Sequence, residues 1–364
     1  MAVWEELLSS PSRLLWEHLR TTDKKIVLWG TGNGADKIMA VMQEKSIPVA
    51  GIFASDGFRQ GKLFHGIRVE SRQEIFNRFG ADRLVVLLAF ASARPEVLAN
   101  VRAVMAEAEF YVPDVPAVGD GLFDAGFVLA HRAELEAARA LLADDESRRI
   151  FDLTLAYKLS GRAEYLFEAV SDPAAVRAEL VCPAGIRAAL DLGAYNGDTV
   201  RELLDAGARP ERIWAVEPDA RTYAKLLAYA EQETRCKVVP VHGAAWCRQE
   251  DLLFDAAGNR GAALGAGARR TVTVPGIACD SLLGDAAADY IKFDVEGAEA
   301  QAIAGLEKHL ARDLPTLLVS VYHRNEDIFA LPLMLRARFG GYRSFYLRRF
   351  AGLPAWDLNL YVRS

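Results

Sequence analysis

Leu190-Asp191-Leu192-Gly193-Ala194-Tyr195-Asn196-Gly197-Asp198-Thr199 reads as a buried strand that ends near an acid, turns on two glycines and enters a helix around Asp198. Working outward, apolar runs at 213–217, 238–242, 290–294 and 317–322 predict further strands, most of them followed by helical segments. Together with 188–192 they imply a mostly parallel α/β sheet, doubly wound with helices on both faces. Runs at 342–347 and 358–362 predict a hairpin-like end to that sheet, and 251–275 reads as an inserted β-rich segment with a Gly/Ala-rich turn.

The amino-terminal half repeats the plan on a smaller scale. Ile26-Val27-Leu28-Trp29 passes through Gly30-Thr31-Gly32-Asn33-Gly34 into a helix to about Lys45, and a strand at 49–53 ends in Ser55-Asp56-Gly57. A buried strand at 84–90, a helix at 95–108 opened by Pro95, and a short strand at 110–112 complete this Rossmann-like block. The Pro-, Gly- and Asp-rich stretch 113–126 punctuates the chain, and helices are expected over 129–142 and 144–159. The expected division is an amino-terminal helix (1–24), a smaller α/β domain (25–113), a helical connector (114–186) and a larger α/β domain (187–364).

The 364 residues suit two such units, and 51% hydrophobic with 25% charged residues is an ordinary globular mix. The formal charge of −6 gives no general attraction to nucleic acid or to an anionic membrane, so neither is expected as a partner. Cys182, Cys236, Cys247 and Cys279 form no CxxC pair and read as reduced structural residues. The first 25 residues lack the basic start and apolar core of a signal peptide, and the longest apolar run, 84–91, is too short to cross a bilayer, so a cytoplasmic location is expected.

The acids at the ends of the later strands carry the chemistry. Asp191 and Asp198 beside the glycine turn would repel a pyrophosphate, but suit the ammonium and sulfonium of S-adenosylmethionine. Gly193, Tyr195, Asn196, Gly197 and Thr199 would line the cofactor's path. Glu217, in Ala215-Val216-Glu217-Pro218-Asp219, lies 26 residues after Asp191, where a carboxylate can accept ribose hydroxyls, with Pro218 and Asp219 beside it. Ala244 and Ala245 are small enough to let an adenine lie flat. The fourth strand closes on Asp294, Glu296 and Glu299, three acids within six residues that would hold a cation, hold a polar ligand or cap a helix. The fifth ends in Tyr322-His323-Arg324-Asn325, facing the same crevice.

At these residues the sequence closely resembles the FkbM-type family of S-adenosylmethionine-dependent methyltransferases. The resemblance rests on LDLGAYNGDTV (190–200), VEPD (216–219), YIKFDVEGAE (290–299), SVYHRNEDIFALPL (320–333) and GYRSFYLRR (341–349), and spans about 144–364. It implies a class I methyltransferase fold, a seven-stranded sheet with an antiparallel final strand, and O-methylation, often of sugar-like or polyketide hydroxyls. Tyr195 departs from the wider class, which often has glycine there.

Methyl transfer from a sulfonium is an in-line displacement that needs alignment and a proton acceptor for the hydroxyl. His323 is the candidate base, and Asp294 would orient it, touch the cofactor, or ligate a divalent cation together with Glu296 and Glu299. Lys292, Glu296, Tyr322 and Asn325 are candidate contacts to a small-molecule or carbohydrate substrate. Structural readings stand beside these: helix caps for the acids, a core position for His323, an ion pair for Lys292. In the first block, Gly30 and Gly32 with Asp56 resemble a dinucleotide fingerprint, with packing or homo-oligomerisation as the plainer role, and Trp29 and Phe90 read as core. An NAD-linked oxidoreductase built on that block and a non-catalytic saccharide-binding protein are the alternative functions.

Overall fold

Strands covered on both faces by helices must be apolar along nearly their whole length, and the central strands of both halves meet that condition: Leu84–Leu88 and Tyr290–Phe293 are buried at every position. The computed structural model describes residues 2–55, 61–255 and 271–364. Its amino-terminal sheet contains β1 (Lys25–Trp29), β2 (Gly51–Ala54), β3 (Leu63–Phe64), β4 (Ile67–Ser71), β5 (Leu84–Leu88) and β6 (Glu109–Tyr111), in the order β3-β4-β2-β1-β5-β6. All neighbours run parallel except the short β3 against β4.

The carboxy-terminal sheet is built from β7 (Ala188–Leu192), β8 (Arg212–Glu217) and β9 (Lys237–His242), and, after an insertion, from four further strands. The insertion comprises β10 (Ala244–Trp246), β11 (Glu250–Asp255) and β12 (Thr271–Ala278), a separate three-stranded sheet; the Gly/Ala-rich turn expected between β11 and β12 lies outside the described residues. The remaining strands are β13 (Tyr290–Phe293), β14 (Thr316–Ser320), β15 (Ser344–Arg349) and β16 (Leu358–Arg363). The order is β15-β16-β14-β13-β7-β8-β9, with β16 antiparallel to both of its neighbours. From β7 the chain moves outward to β8 and β9 and then returns to β13 on the other side, so the winding reverses between β7 and β13. Ligands of open α/β sheets bind beyond the carboxyl ends of the strands at such a switch.

The expected connector is a shared layer. Helix Asp145–Ser160 places Ile150, Leu153 and Leu155 in the core of the larger sheet, while Tyr157 packs with Val27, Trp29 and Val86 of the smaller one. A buried ion pair, Lys158 Nζ to Asp114 at 2.8 Å, ties this helix to the segment leaving the first sheet. The amino-terminal helix is not continuous. Pro11 opens a 3₁₀ turn at Pro11–Arg13 between helices Val3–Leu8 and Leu15–Thr21, and the two pieces serve different cores: Trp4 and Leu7 the larger, Leu15 and Leu19 the smaller.

Candidate active site

Three carboxylates stand at or beside the carboxyl ends of β7, β8 and β13, and the sheet register decides what each meets. Lys292 on β13 lies directly opposite Asp191 on β7. Its ammonium is 3.3 Å from Asp191 Oδ1 and 3.4 Å from Asp294 Oδ2, and donates to the Gly193 carbonyl at 3.2 Å. The buried ammonium is thus held among three protein oxygens, and the expected substrate role of Lys292 gives way to that of an internal counter-ion. Burial alone would lower its pKa, but the two carboxylates more than offset this and hold it above the ordinary lysine range.

Asp191 also accepts from the Thr199 hydroxyl through Oδ2. Its Oδ1 is buried and has an ion-pair neighbour but no aligned hydrogen bond, and Asn196 Oδ1 in the same turn is a second buried acceptor without a partner. The turn itself is tightly constrained. Gly193 has φ +82°, and a Cβ there would lie 1.9 Å from the Asp294 carbonyl oxygen; at Gly197 (φ +83°) a Cβ would strike the Tyr229 ring at 2.3 Å. Tyr195 occupies the left-handed region at φ +47° without being glycine, and its N–H donates to Glu217 Oε2 at 2.9 Å. Asp198 opens helix Asp198–Asp205 and accepts from the Thr199 N–H.

Glu217 differs from its expected state. Besides Tyr195 it accepts from the Asp219 N–H and the Thr222 hydroxyl, both on Oε1 at 2.8 Å. Three of about four acceptor positions are engaged, leaving roughly one for a ribose hydroxyl where two were expected. Burial keeps its pKa above the usual glutamate value. Asp219 is the amino-terminal cap of helix Ala220–Gln232, accepting from the Arg221 and Thr222 N–H groups, and the Pro218 carbonyl accepts from His242 Nε2 at 3.1 Å. Ala244 and Ala245 are packing positions: Ala244 packs with Val274, and Ala245 lies in the main core.

At the end of β13 and β14 a second cluster forms around His323. The ring is 1% exposed; Nδ1 is 2.9 Å from Glu299 Oε1, while Nε2 lies 3.6 Å from Asp294 and 3.5 Å from Glu296, too far for a hydrogen bond. Burial favours the neutral ring, but Glu299, then Asp294 and Glu296, hold a proton on it and push its pKa up to about 9. The sequence placed His323 facing the crevice and titrating near neutrality; the structure instead surrounds it with acids inside the protein. Asp294 is pushed up by burial, but Lys292 and His323 bring it down to about 2, and its Oδ1 accepts from Ser320 (2.9 Å) and Tyr322 (3.2 Å). Glu299, 1% exposed, also accepts from the Val295 N–H. Among the described residues no group of three His, Cys, Asp or Glu is arranged to hold a metal ion. Asp294, Glu296 and Glu299 instead converge on an imidazole, so they do not fit the expected cation site.

The sequence reading missed the roof of this cluster. Residues 116–121, which it treated as a boundary, lie against the ends of β13 and β14: the Val118 N–H donates to the His323 carbonyl (3.0 Å), Asn325 Nδ2 donates to the Gly121 carbonyl (3.3 Å), and Val118 covers Gly297. On the other side Lys37 of the smaller unit donates to the Pro116 and Ala117 carbonyls, each at 2.7 Å. Asn325 is thereby engaged in fastening this segment. Apart from this cluster, a cavity of about 210 Å³ lies between the sheet and Val200 and Leu203 of the helix after β7, running from Asp191, Lys292 and Asp294 past Ser320 and Asn359 to Tyr290 and Tyr361; neither Glu296 nor His323 lines it.

In the amino-terminal unit, Trp29 is buried and stacks on Phe53, with Phe90 against its edge, as the sequence suggests; Asp56 lies outside the described residues. No helix among the described residues is long and apolar enough to cross a membrane.

A seven-stranded doubly wound sheet with an antiparallel last strand inserted beside β14, and acids gathered at its switch point, is the plan of the class I methyltransferases. Residues 191–345 match the Methyltransferase FkbM domain. Residues 22–97 match a second family, described as C2185-like, N-terminal. Among solved structures, Methyltransferase FkbM from Methylobacillus flagellatus KT is similar over 99% of this chain and 97% of its own, with 20% identity and a TM-score of 0.73, a likeness of fold that takes in both sheets. Fibrillarin from Aeropyrum pernix, with bound S-adenosyl-L-methionine, aligns over 51% of this chain and 73% of its own at 17% identity and a TM-score of 0.32. No curated protein matches the sequence.

Proposed function

We propose that the protein transfers a methyl group from S-adenosylmethionine to a hydroxyl of a sugar or a glycosylated small molecule, assisted by a general base. The observation that carries this reading is the β7 turn, where Asn196 Oδ1 is buried without a partner and Asp191 Oδ1 has only the Lys292 ammonium at 3.3 Å, beside a carboxylate on β8 that keeps a free acceptor position. Buried polar atoms left without partners are uncommon and call for a ligand or water. Asp191 and Asn196 suit the ammonium of a methionine moiety, and Glu217 suits one ribose hydroxyl. When bound, the cofactor supplies an electrophilic methyl on a sulfonium.

The chain's own residues do the rest. The carbonyl of Asp294, closing on Gly193, holds the turn rigid; Lys292 pairs with Asp191 and helps keep Asp294 ionised.

Calorimetry with S-adenosylhomocysteine and, separately, NAD is the direct test. Binding of the first to the full chain, lost in Asp191→Ala, supports the reading, and methyl transfer across a panel of hexoses and methyl glycosides tests the acceptor class. Binding of NAD alone, dependent on Gly30 and Gly32, would replace it with the oxidoreductase. Cofactor binding with no transfer to any glycoside would remove the sugar.

A further inference from the structure

We propose that Glu296, rather than His323, takes the acceptor's proton as the hydroxyl is methylated. This inference rests on the methyl-transfer reading above and goes beyond it by naming the base. In the balanced step the hydroxyl oxygen gains the methyl carbon as the carbon–sulfur bond breaks, the sulfur keeps that bond's electron pair, and the hydroxyl proton ends on the Glu296 carboxylate.

Four titratable groups meet at the ends of β13 and β14, and geometry separates them. His323 and Glu299 are each 1% exposed and bonded to one another, so neither can touch a substrate without the core opening. Asp294 is partly exposed, its side chain 30% accessible, but both of its oxygens are engaged, Oδ1 by Ser320 and Tyr322 and Oδ2 by Lys292. Glu296 is also partly exposed, at 31%; among the described residues no hydrogen bond to its carboxylate is found, and its ion-pair partner there is His323 Nε2 at 3.5 Å. It stands on a left-handed backbone, φ +54°, which a glutamate adopts only at a cost. Strain of this kind gathers at functional positions.

Electrostatics agree with the geometry. Burial raises the Glu296 carboxyl, His323 lowers it, Asp294 and Glu299 raise it again and Lys292 lowers it, leaving it at about 7, where a base works best at neutral pH. Asp294, at about 2, is too weak a base, and His323, at about 9, already carries the proton it would need to accept. In this arrangement His323 is a positioning residue, a buried cation shared by Asp294 and Glu296 and anchored by Glu299.

Two measurements on the full chain test this. The first needs no acceptor: carbon-13 NMR of carboxyl-labelled glutamate, with and without S-adenosylhomocysteine, and the Glu296 signal identified by its loss in Glu296→Gln. A midpoint near 7 is expected; one near the ordinary 4.5 overturns the proposal. The second compares variants in any acceptor the panel reveals. Glu296→Gln is expected to lower kcat by about 10²–10⁴-fold while binding S-adenosylhomocysteine within about threefold of wild type, with Glu296→Asp restoring part of the rate and displacing the acidic limb of the pH profile. Turnover of Glu296→Gln within about threefold of wild type overturns the assignment. Failure of the wild type to bind S-adenosylhomocysteine is a different result, and it defeats the methyl-transfer reading itself.

Discussion

The protein contains two doubly wound sheets, each with a glycine turn after its central strand, and the two turns are finished differently. After β7, Gly193 and Gly197 are pressed against backbone and ring, and the neighbouring strand ends carry Asp191, Glu217 and Asp294. After β1, Gly30 and Gly34 are likewise pressed on the Phe90 ring and the Ala89 carbonyl, but Gly32, at φ +129°, has open space where a Cβ would stand, and the strand ends carry Trp29, Phe53 and Phe90, packed on one another, in place of acids. The shared plan supplies a place for a ligand; polar side chains at the strand ends decide whether there is chemistry in it.

The largest expected effect breaks the constrained turn. Gly193→Ala must move the Asp294 carbonyl and adopt a left-handed backbone, so it should cost roughly 3–5 kcal/mol and abolish S-adenosylhomocysteine binding. Gly32→Ala, with open space around it, should cost roughly 1–2 kcal/mol from backbone strain alone and leave that binding intact. Urea unfolding and calorimetry on both variants measure the contrast; equal losses would erase it. Next in size is the tie between the halves: Lys158→Met strands Asp114 in the interior and should cost about 3 kcal/mol in urea unfolding.

A smaller effect separates the halves by pH. His323 has its pKa raised on folding, so its protonated form is favoured in the native state; that stabilisation is complete below about 6.5 and is lost as pH climbs through about 9. Asp294 has the opposite sign, contributing above its ordinary 3.8 and losing its contribution as pH falls towards about 2. Melting temperature followed from pH 6 to pH 10 should therefore fall, and His323→Gln should flatten that limb. An unchanged slope in the variant would place the titration elsewhere. The smallest is Lys37→Met, which removes two hydrogen bonds to residues 116–121 and should cost about 1 kcal/mol, read as a shift in the urea midpoint.

How much of this the sequence reveals depends on whether a feature is local. The central strands at 188–192, 290–293 and 84–88 were legible because parallel strands buried on both faces are continuous apolar runs cut off by glycine or acid. The pair β3 and β4 was not, since a two-residue strand and the alternating Ile67-Arg68-Val69-Glu70 carry little hydrophobic signal. In the site, the positions of Asp191, Glu217 and Asp294 followed from the motifs, but their partners did not. That Lys292 stands across from Asp191 is a matter of strand register, and that His323 turns inward to Glu299 is a matter of tertiary packing. Residues 116–121 went unnoticed because proline and glycine mark where regular structure stops and say nothing of where the chain then lies.

That stretch of backbone has a practical meaning for anyone wishing to recombine this protein with its relatives. Stitched to Lys37 on one side and to His323 and Asn325 on the other, it makes the front half of the chain part of the back half's ceiling. A chimera that borrows a foreign amino-terminal unit must therefore carry over residues 116–121 and a donor in the place of Lys37, or its catalytic half will be left without a cover.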